Sequence, residues 1–218
     1  AWQQPQHSYN QYWRQLNQLP LPSKQEWARH HGDIAFAQLK QLVEYAGSPQ
    51  RLILAVPGSC SDDQLSLLLG LASAIPVQVT AVIDSALATC ATETQPTVLV
   101  ELQLHQAVVS LIDCGAGSLR LSQQETIPDL GIMQLHNAAA RHISDRLVQD
   151  YRYDPMHNSE GEQAIYNQLP QWLMQLGWED KLNISLPSPQ GNLKLVLHKH
   201  QLTSLFEQRL NSLSAILD

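Results

Sequence analysis

The chain has 218 residues, a formal net charge of −7, 15% charged and 44% hydrophobic residues, and 26 glutamines that supply much of its polarity. That length buries a real core in one fair-sized domain or two small ones. An acidic chain without Lys/Arg clusters lacks the basic patches that phosphate contacts need, which argues against nucleic acid; no apolar run approaches the roughly 20 residues of a membrane span.

Residues 1–30 are rich in Gln, Trp and Pro and show no clean period before Pro20 and Pro22. Trp2, Trp13 and Trp27 read as aromatic anchors of an extended segment packed onto a body, with peptide binding as the other reading. Asp33 is the expected N-cap of a helix carrying Phe36, Leu39, Leu42, Val43 and Ala46 at helical spacing, and Gly47 is its stop. Residues 51–56, apolar after Arg51 and closed by Pro57-Gly58, read as a buried strand. Ser61-Asp-Asp-Gln64 is a capping box opening a second helix, with Leu65, Leu68, Leu69 and Ala72 as its stripe, and 77–83 is a second strand. Strand, helix and strand in so short a span form a βαβ crossover with a parallel pair. A short helix is expected over 84–91.

Strands are expected at 97–100, 107–112 and 119–122, with Gly115 and Gly117 turning between the last two. Asp129-Leu-Gly131 precedes a long helix over 132–150, with Leu135, Ala139, His142, Ile143 and Leu147 on one side. Ser159-x-x-Glu162 reads as a capping box for another helix, interrupted at Pro170. Leu182, Ile184 and Leu186 alternate, as do Leu193, Leu195 and Leu197, which gives a hairpin with one buried face. A last helix covers about 201–216. Trp172, Trp178, Tyr153 and Tyr166 read first as core; an exposed protein-contact patch is the alternative.

The order of these pieces resembles the DnaK-type heat-shock chaperones of the actin-like ATPase and sugar kinase superfamily over roughly residues 50–215. The resemblance rests on Ile53-Leu-Ala-Val-Pro-Gly58, the capped helix with Gln64, Gly70 and Ala72, Val82-Ile-Asp-Ser-Ala-Leu-Ala88, Val98-Leu-Val-Glu101 and Pro128-Asp-Leu-Gly131. It implies an α/β actin-like ATPase (ribonuclease H-like) fragment with an α+β second-lobe subdomain. The parts are an N-terminal segment and helix (1–48), a first-lobe βαβ portion (49–94), a second-lobe hairpin portion (95–135) and a small α+β subdomain (136–218).

The departures bear on function. Where those chaperones carry D-L-G-G-G-T, whose backbone N–H groups approach phosphates, a gapless alignment puts Glu101-Leu-Gln-Leu-His-Gln106. Every glycine is gone, and Glu101, Gln103 and His105 mark a degenerate phosphate loop. The family's proton-relay Glu aligns with Ser85. No catalytic residue is assigned. Asp113, Gly115, Gly117 and Ser118 form a rival loop resembling D-x-G-x-G-T, but it leaves the spacing to Leu130-Gly131 twelve residues too short; a hairpin turn is the simpler reading.

The family's first phosphate loop and adenosine segment do not occur in this sequence, so the expectation is a piece of a longer polypeptide, opening on Ala1 without a signal-peptide pattern. The resemblance implies a chaperone-like or regulatory protein-interaction scaffold without ATP hydrolysis. Its partners would be a protein client and the remaining segments of its own polypeptide. The alternative is an ATP-binding DnaK-type chaperone that uses ATP and Mg; a small-molecule kinase of the superfamily is a third class. No membrane or nucleic-acid partner is expected.

Cys60, Cys90 and Cys114 form no CxxC pair, and their odd number argues against a disulfide framework and for a reduced, cytoplasmic setting. Cys60 sits at a helix N-terminus, a position that can lower a thiol pKa. His30-His31 and His198/His200 lack a Cys or carboxylate at ligand spacing, so no metal is expected.

Overall fold

The computed structural model describes residues 9–21, 27–115 and 117–217, with Gln208 by its backbone alone. Trp2 and Pro22 lie outside the described residues. The fold is mixed α/β and divides into two compact units.

The first unit holds Tyr9–Glu101 and Ala107–Thr126. Its helix α1 spans His31–Tyr45. The N-cap is His30, not Asp33: the His30 ring nitrogen accepts the Asp33 N–H at 3.1 Å. Asp33 works one turn inside the helix, where its carboxylate takes the Arg29 N–H at 2.8 Å. Its negative charge also suits the positive end of the helix dipole. The helix stops in a Schellman motif: Gly47 N–H reaches Glu44 O at 3.0 Å and Ser48 N–H reaches Val43 O at 2.9 Å. Gly47 holds φ +77°, a conformation glycine adopts without a Cβ penalty.

Strand β1 (Arg51–Val56), helix α2 (Asp62–Ser73) and strand β2 (Gln78–Asp84) complete a βαβ crossover. The strands pair in parallel, Leu54 opposite Val82 and Val56 opposite Asp84. The Ser61/Gln64 capping box forms in full. The period-2 alternation sends Leu54 and Val56 inward against Leu39, Val43, Leu68 and Ala72, each full aliphatic burial contributing roughly 1.5–3 kcal/mol. The expected aromatic anchors do not fill this core: Trp13 and Trp27 are exposed, and Leu16 and Leu21 are buried instead. An indole N–H buried there would need a partner; Trp13 meets its need at the surface, donating to Gln38 Oε1.

Helix α3 (Ser85–Thr89) follows, then strands β3 (Thr97–Leu102), β4 (Gln106–Gly115) and β5 (Ser118–Pro128). They form a sheet in the order β3-β4-β5. The connections are too short for a parallel crossover, so the chain doubles back at each turn. Ala86, Cys90 and Ile112 make a second small core with Leu99, Leu119 and Leu121 against it.

The second unit holds Leu102–Gln106 and the chain from Ile127 on. Helix α4 spans Ile132–Tyr151 and helix α5 Ser159–Trp178, with a 3-10 turn at Pro155–His157 between them. The N-cap of α5 is Asn158, whose Oδ1 accepts the Gly161 N–H at 2.6 Å, so the expected Ser159/Glu162 box does not form. Nor does Pro170 interrupt the helix. Proline has no N–H to give the Tyr166 carbonyl, but its ring lies on the exposed side, while Ile165, Leu169, Trp172 and Leu176 bury the opposite stripe. Strands β6 (Lys181–Ser188) and β7 (Gly191–His198) pair antiparallel, with Leu182, Ile184 and Leu186 facing Leu197, Leu195 and Leu193. Ile184, Leu186, Leu193, Leu195 and Leu197 share one core with Ile143, Leu147, Ile165 and Leu169. Helix α6 (Lys199–Leu217) closes the unit.

Candidate functional site

The residues singled out for phosphate binding fall in both units: Glu101 belongs to the first, Gln103 and His105 to the second.

In the first unit, Asp84 caps α3 by accepting the Ala86 N–H at 2.7 Å. That cap fixes Ser85 at the start of the helix. Its hydroxyl donates to Glu101 on β3, at 3.1 Å to Oε1 and 3.4 Å to Oε2. Ser85 and Glu101 therefore meet. They meet as one hydroxyl and one carboxylate rather than two carboxylates. The hydroxyl proton is engaged by Glu101, so this pair offers a single acidic group to any ligand.

In the second unit, the turn between β3 and β4 is closed on itself. Gln103 N–H donates to Gln106 O at 2.9 Å, and the Gln106 side chain donates to Gln103 Oε1 at 2.9 Å. The turn's carbonyls face the start of α4. Gln103 O accepts Ile132 N–H at 3.0 Å and Leu104 O accepts Met133 N–H at 2.9 Å. These are two of the four donors a helix N-terminus leaves open. Gly131, the N-cap, offers no side-chain cap. It offers space: a Cβ there would lie 2.6 Å from Gln106 N, His105 C and His105 Cα. His105 is buried.

This arrangement does not fit a triphosphate. Phosphate oxygens need N–H groups. Here oxygens point at the helix donors, and the Gln103 N–H is engaged within the turn.

The rival loop is the β4–β5 hairpin turn. Gly117 has φ +77°, the Ser118 hydroxyl donates to Gly115 O at 2.9 Å, and Ser122 donates to the Asp113 carboxylate. Each polar group of Asp113-x-Gly-x-Gly-Ser118 named here thus serves the hairpin itself; Ala116 lies outside the described residues.

Burial pushes the Cys60 thiol up, opposite to the lowering that a helix N-terminus can give. His30 is an N-cap, and His31 Nδ1 lies 3.0 Å from Gln15 O. The His198 and His200 rings sit 5.4 Å apart. Among the described residues no group of three or more His, Cys, Asp or Glu is placed to hold a metal ion, and no helix is long and apolar enough to cross a membrane. Of the four aromatics considered as a patch, Trp172 and Tyr166 are core, Tyr153 packs against it, and Trp178 stands 90% exposed. The Tyr166 hydroxyl donates to Asn137 Oδ1 at 2.6 Å, and burial raises its pKa.

Two features escape sequence reasoning. One is the Ser85–Glu101 contact, which joins a helix start to a strand sixteen residues on. The other is Asp154, which gathers the Ser144 hydroxyl at 2.8 Å, the Met156 N–H at 2.9 Å and His157 Nδ1 at 2.7 Å. Its signal in the sequence is Asp154-Pro155, a capping residue followed by proline at the first position of the 3-10 turn.

No protein-family model matches the chain, and no curated protein matches it.

Proposed function

We propose that the chain is a chaperone-like or regulatory protein-interaction scaffold of the actin-like ATPase superfamily that does not hydrolyse ATP. The superfamily assignment rests on element order and motif spacing in the sequence, and it is analogy at the level of fold. The observation that carries the non-hydrolytic part is the closed turn at 103–106. At the aligned phosphate position, backbone carbonyls are committed to the α4 N-terminus and Gly131 is packed against the turn. A ligand would have to break both Ile132 and Met133 hydrogen bonds to enter, at about 1 kcal/mol each before any displaced packing. The Ser85–Glu101 contact leaves one carboxylate where the family's hydrolytic chemistry uses two.

Titration calorimetry with Mg-ATP tests this on the longest natural polypeptide that contains the chain. The reading expects no heat of binding in the micromolar range. Micromolar binding weakened by Glu101→Ala would overturn it and favour the ATP-binding chaperone; binding lost with Asp113→Ala would move the phosphate site to the β4–β5 turn.

A further inference from the structure

Cys90 and Cys114 lie outside the closed turn, one before β3 and one near the end of β4, and take no part in the proposed function. Both are free thiols. Cys90 is the C-cap of α3 and is buried in one cluster with Ile112 of β4. Cys114 stands two residues further along β4, on the face that Ile112 presents. Its S–H donates to Gln95 O at 3.0 Å, and Glu93 O lies 3.8 Å away. Glu93 in turn donates its N–H to Cys90 O at 2.9 Å. The turn after Cys90 is therefore wrapped onto the Cys114 thiol. The connection 91–96 is exposed throughout, so it can adjust without disturbing the core.

We infer that Cys90 and Cys114 are a redox-closing pair, joined as an intramolecular disulfide by a small disulfide oxidant of the glutathione type. The accessible thiol acts first. Cys114, half-exposed, loses its proton and attacks one sulfur of glutathione disulfide; that S–S bond breaks and one glutathione thiolate leaves with the proton. The Cys90 thiolate then attacks Cys114 Sγ, and the second glutathione leaves protonated. The protein loses two protons and two electrons, and glutathione disulfide takes them up to become two glutathiones. Burial, then the charges of Glu93, Cys114 and Glu101, push the Cys90 thiol up. Cys90 is thus a resolving thiol rather than the first nucleophile. Closure ties the end of α3 to β4 and encloses the 91–96 connection.

The test uses the full chain with Cys60→Ser, which leaves two thiols. Cleavage after Glu93 and Glu101 puts Cys90 and Cys114 on different peptides. After incubation with excess glutathione disulfide, alkylatable thiols should fall from two to none. The intact mass should drop by two hydrogens, and the two peptides should emerge joined. In strong urea the ratio of closed chain to glutathione adduct should fall at least tenfold. Two surviving thiols, glutathione retained on Cys114, or equal closure in urea would each overturn the inference. The same reaction on the parent chain should leave Cys60 outside any protein disulfide, as a thiol or as a glutathione adduct, with Cys90 and Cys114 still joined; Cys60 joined to either of them would overturn it too.

Discussion

Replacing Gly131 with alanine tests the close approach between the 103–106 turn and α4. Gly131 is extended, at φ −144° and ψ 174°, so any residue can adopt its backbone and only space is at issue. The added Cβ would sit 2.6 Å from three backbone atoms of His105 and Gln106. Ordinary carbon contacts lie near 3.5–4.0 Å, so relief needs a shift of about 1 Å. A shift of that size stretches the Ile132 and Met133 hydrogen bonds, now 3.0 and 2.9 Å, beyond useful range. Overpacking of this kind costs about 1–3 kcal/mol, and two lost hydrogen bonds add about 1 kcal/mol each. The sum, about 3–5 kcal/mol, is a large part of the 5–15 kcal/mol typical of a domain. Urea unfolding with pulsed hydrogen exchange, reading α4 and α5 peptides separately from the first unit, measures it. Gly70→Ala is the matched control. It lies inside α2 with nothing within 4 Å of its Cβ and should gain about 0.5–1 kcal/mol from helix propensity. A Gly131→Ala chain within about 1 kcal/mol of its parent would refute the packing argument, and with it the closed turn on which the proposed function rests.

Two further outcomes are expected. Burial alone would raise the Asp154 carboxyl, but hydrogen bonds from Ser144, Met156 N–H and His157 outweigh it and hold the pKa below the usual carboxylate range. The folded value is thus below the unfolded one, near 4. Its contribution is complete above that unfolded value and is lost as pH falls through the folded value. Asp154→Asn should flatten the acid decline of the urea midpoint below pH 4; an unchanged slope would contradict the assignment. Pro170→Ala should restore a donor to the Tyr166 carbonyl inside α5 and stabilise the second unit by about 1–3 kcal/mol, and a loss of thermal midpoint would mean that the ring packs better than its exposure implies.

The elements that were legible in the sequence are those whose period and caps agree. The boxed helix α2 and the β6–β7 hairpin each combine a clear stripe or alternation with Ser61 or Gly191 at the right end; the apolar run closed by Pro57-Gly58 places strand β1, but that strand is half-buried with Ile53 exposed, not buried as expected. The misreadings have common causes. Histidine seldom caps a helix, so Asp33 drew the N-cap away from His30. Two adjacent capping residues, Asn158 and Ser159, cannot be ranked without knowing where the 3-10 turn ends. Pro170 continues its helix because tertiary burial of Ile165, Leu169 and Trp172 outweighs one missing bond, and a local rule does not see that. Size alone makes tryptophans look like anchors, yet the core beside α1 takes Leu16. At the candidate site, the loss of glycine at 103–105 was readable, but the committed carbonyls were not. Sequence reports side chains, whereas Gln103, Leu104, Ile132 and Met133 meet through backbone.

The second unit takes five of its residues, 102–106, from the β3–β4 hairpin, whose strands otherwise belong to the first. During synthesis that pentapeptide emerges well before Ile132, and the Gln103 and Leu104 carbonyls must wait in water until α4 exists. A protease cut near Thr126 would strand them permanently: one fragment would carry the acceptors, the other a helix start without them. Neither unit is a continuous stretch of chain that can be trimmed free, so any shortened version intended to isolate one of them must cut through the β3–β4 hairpin that serves both.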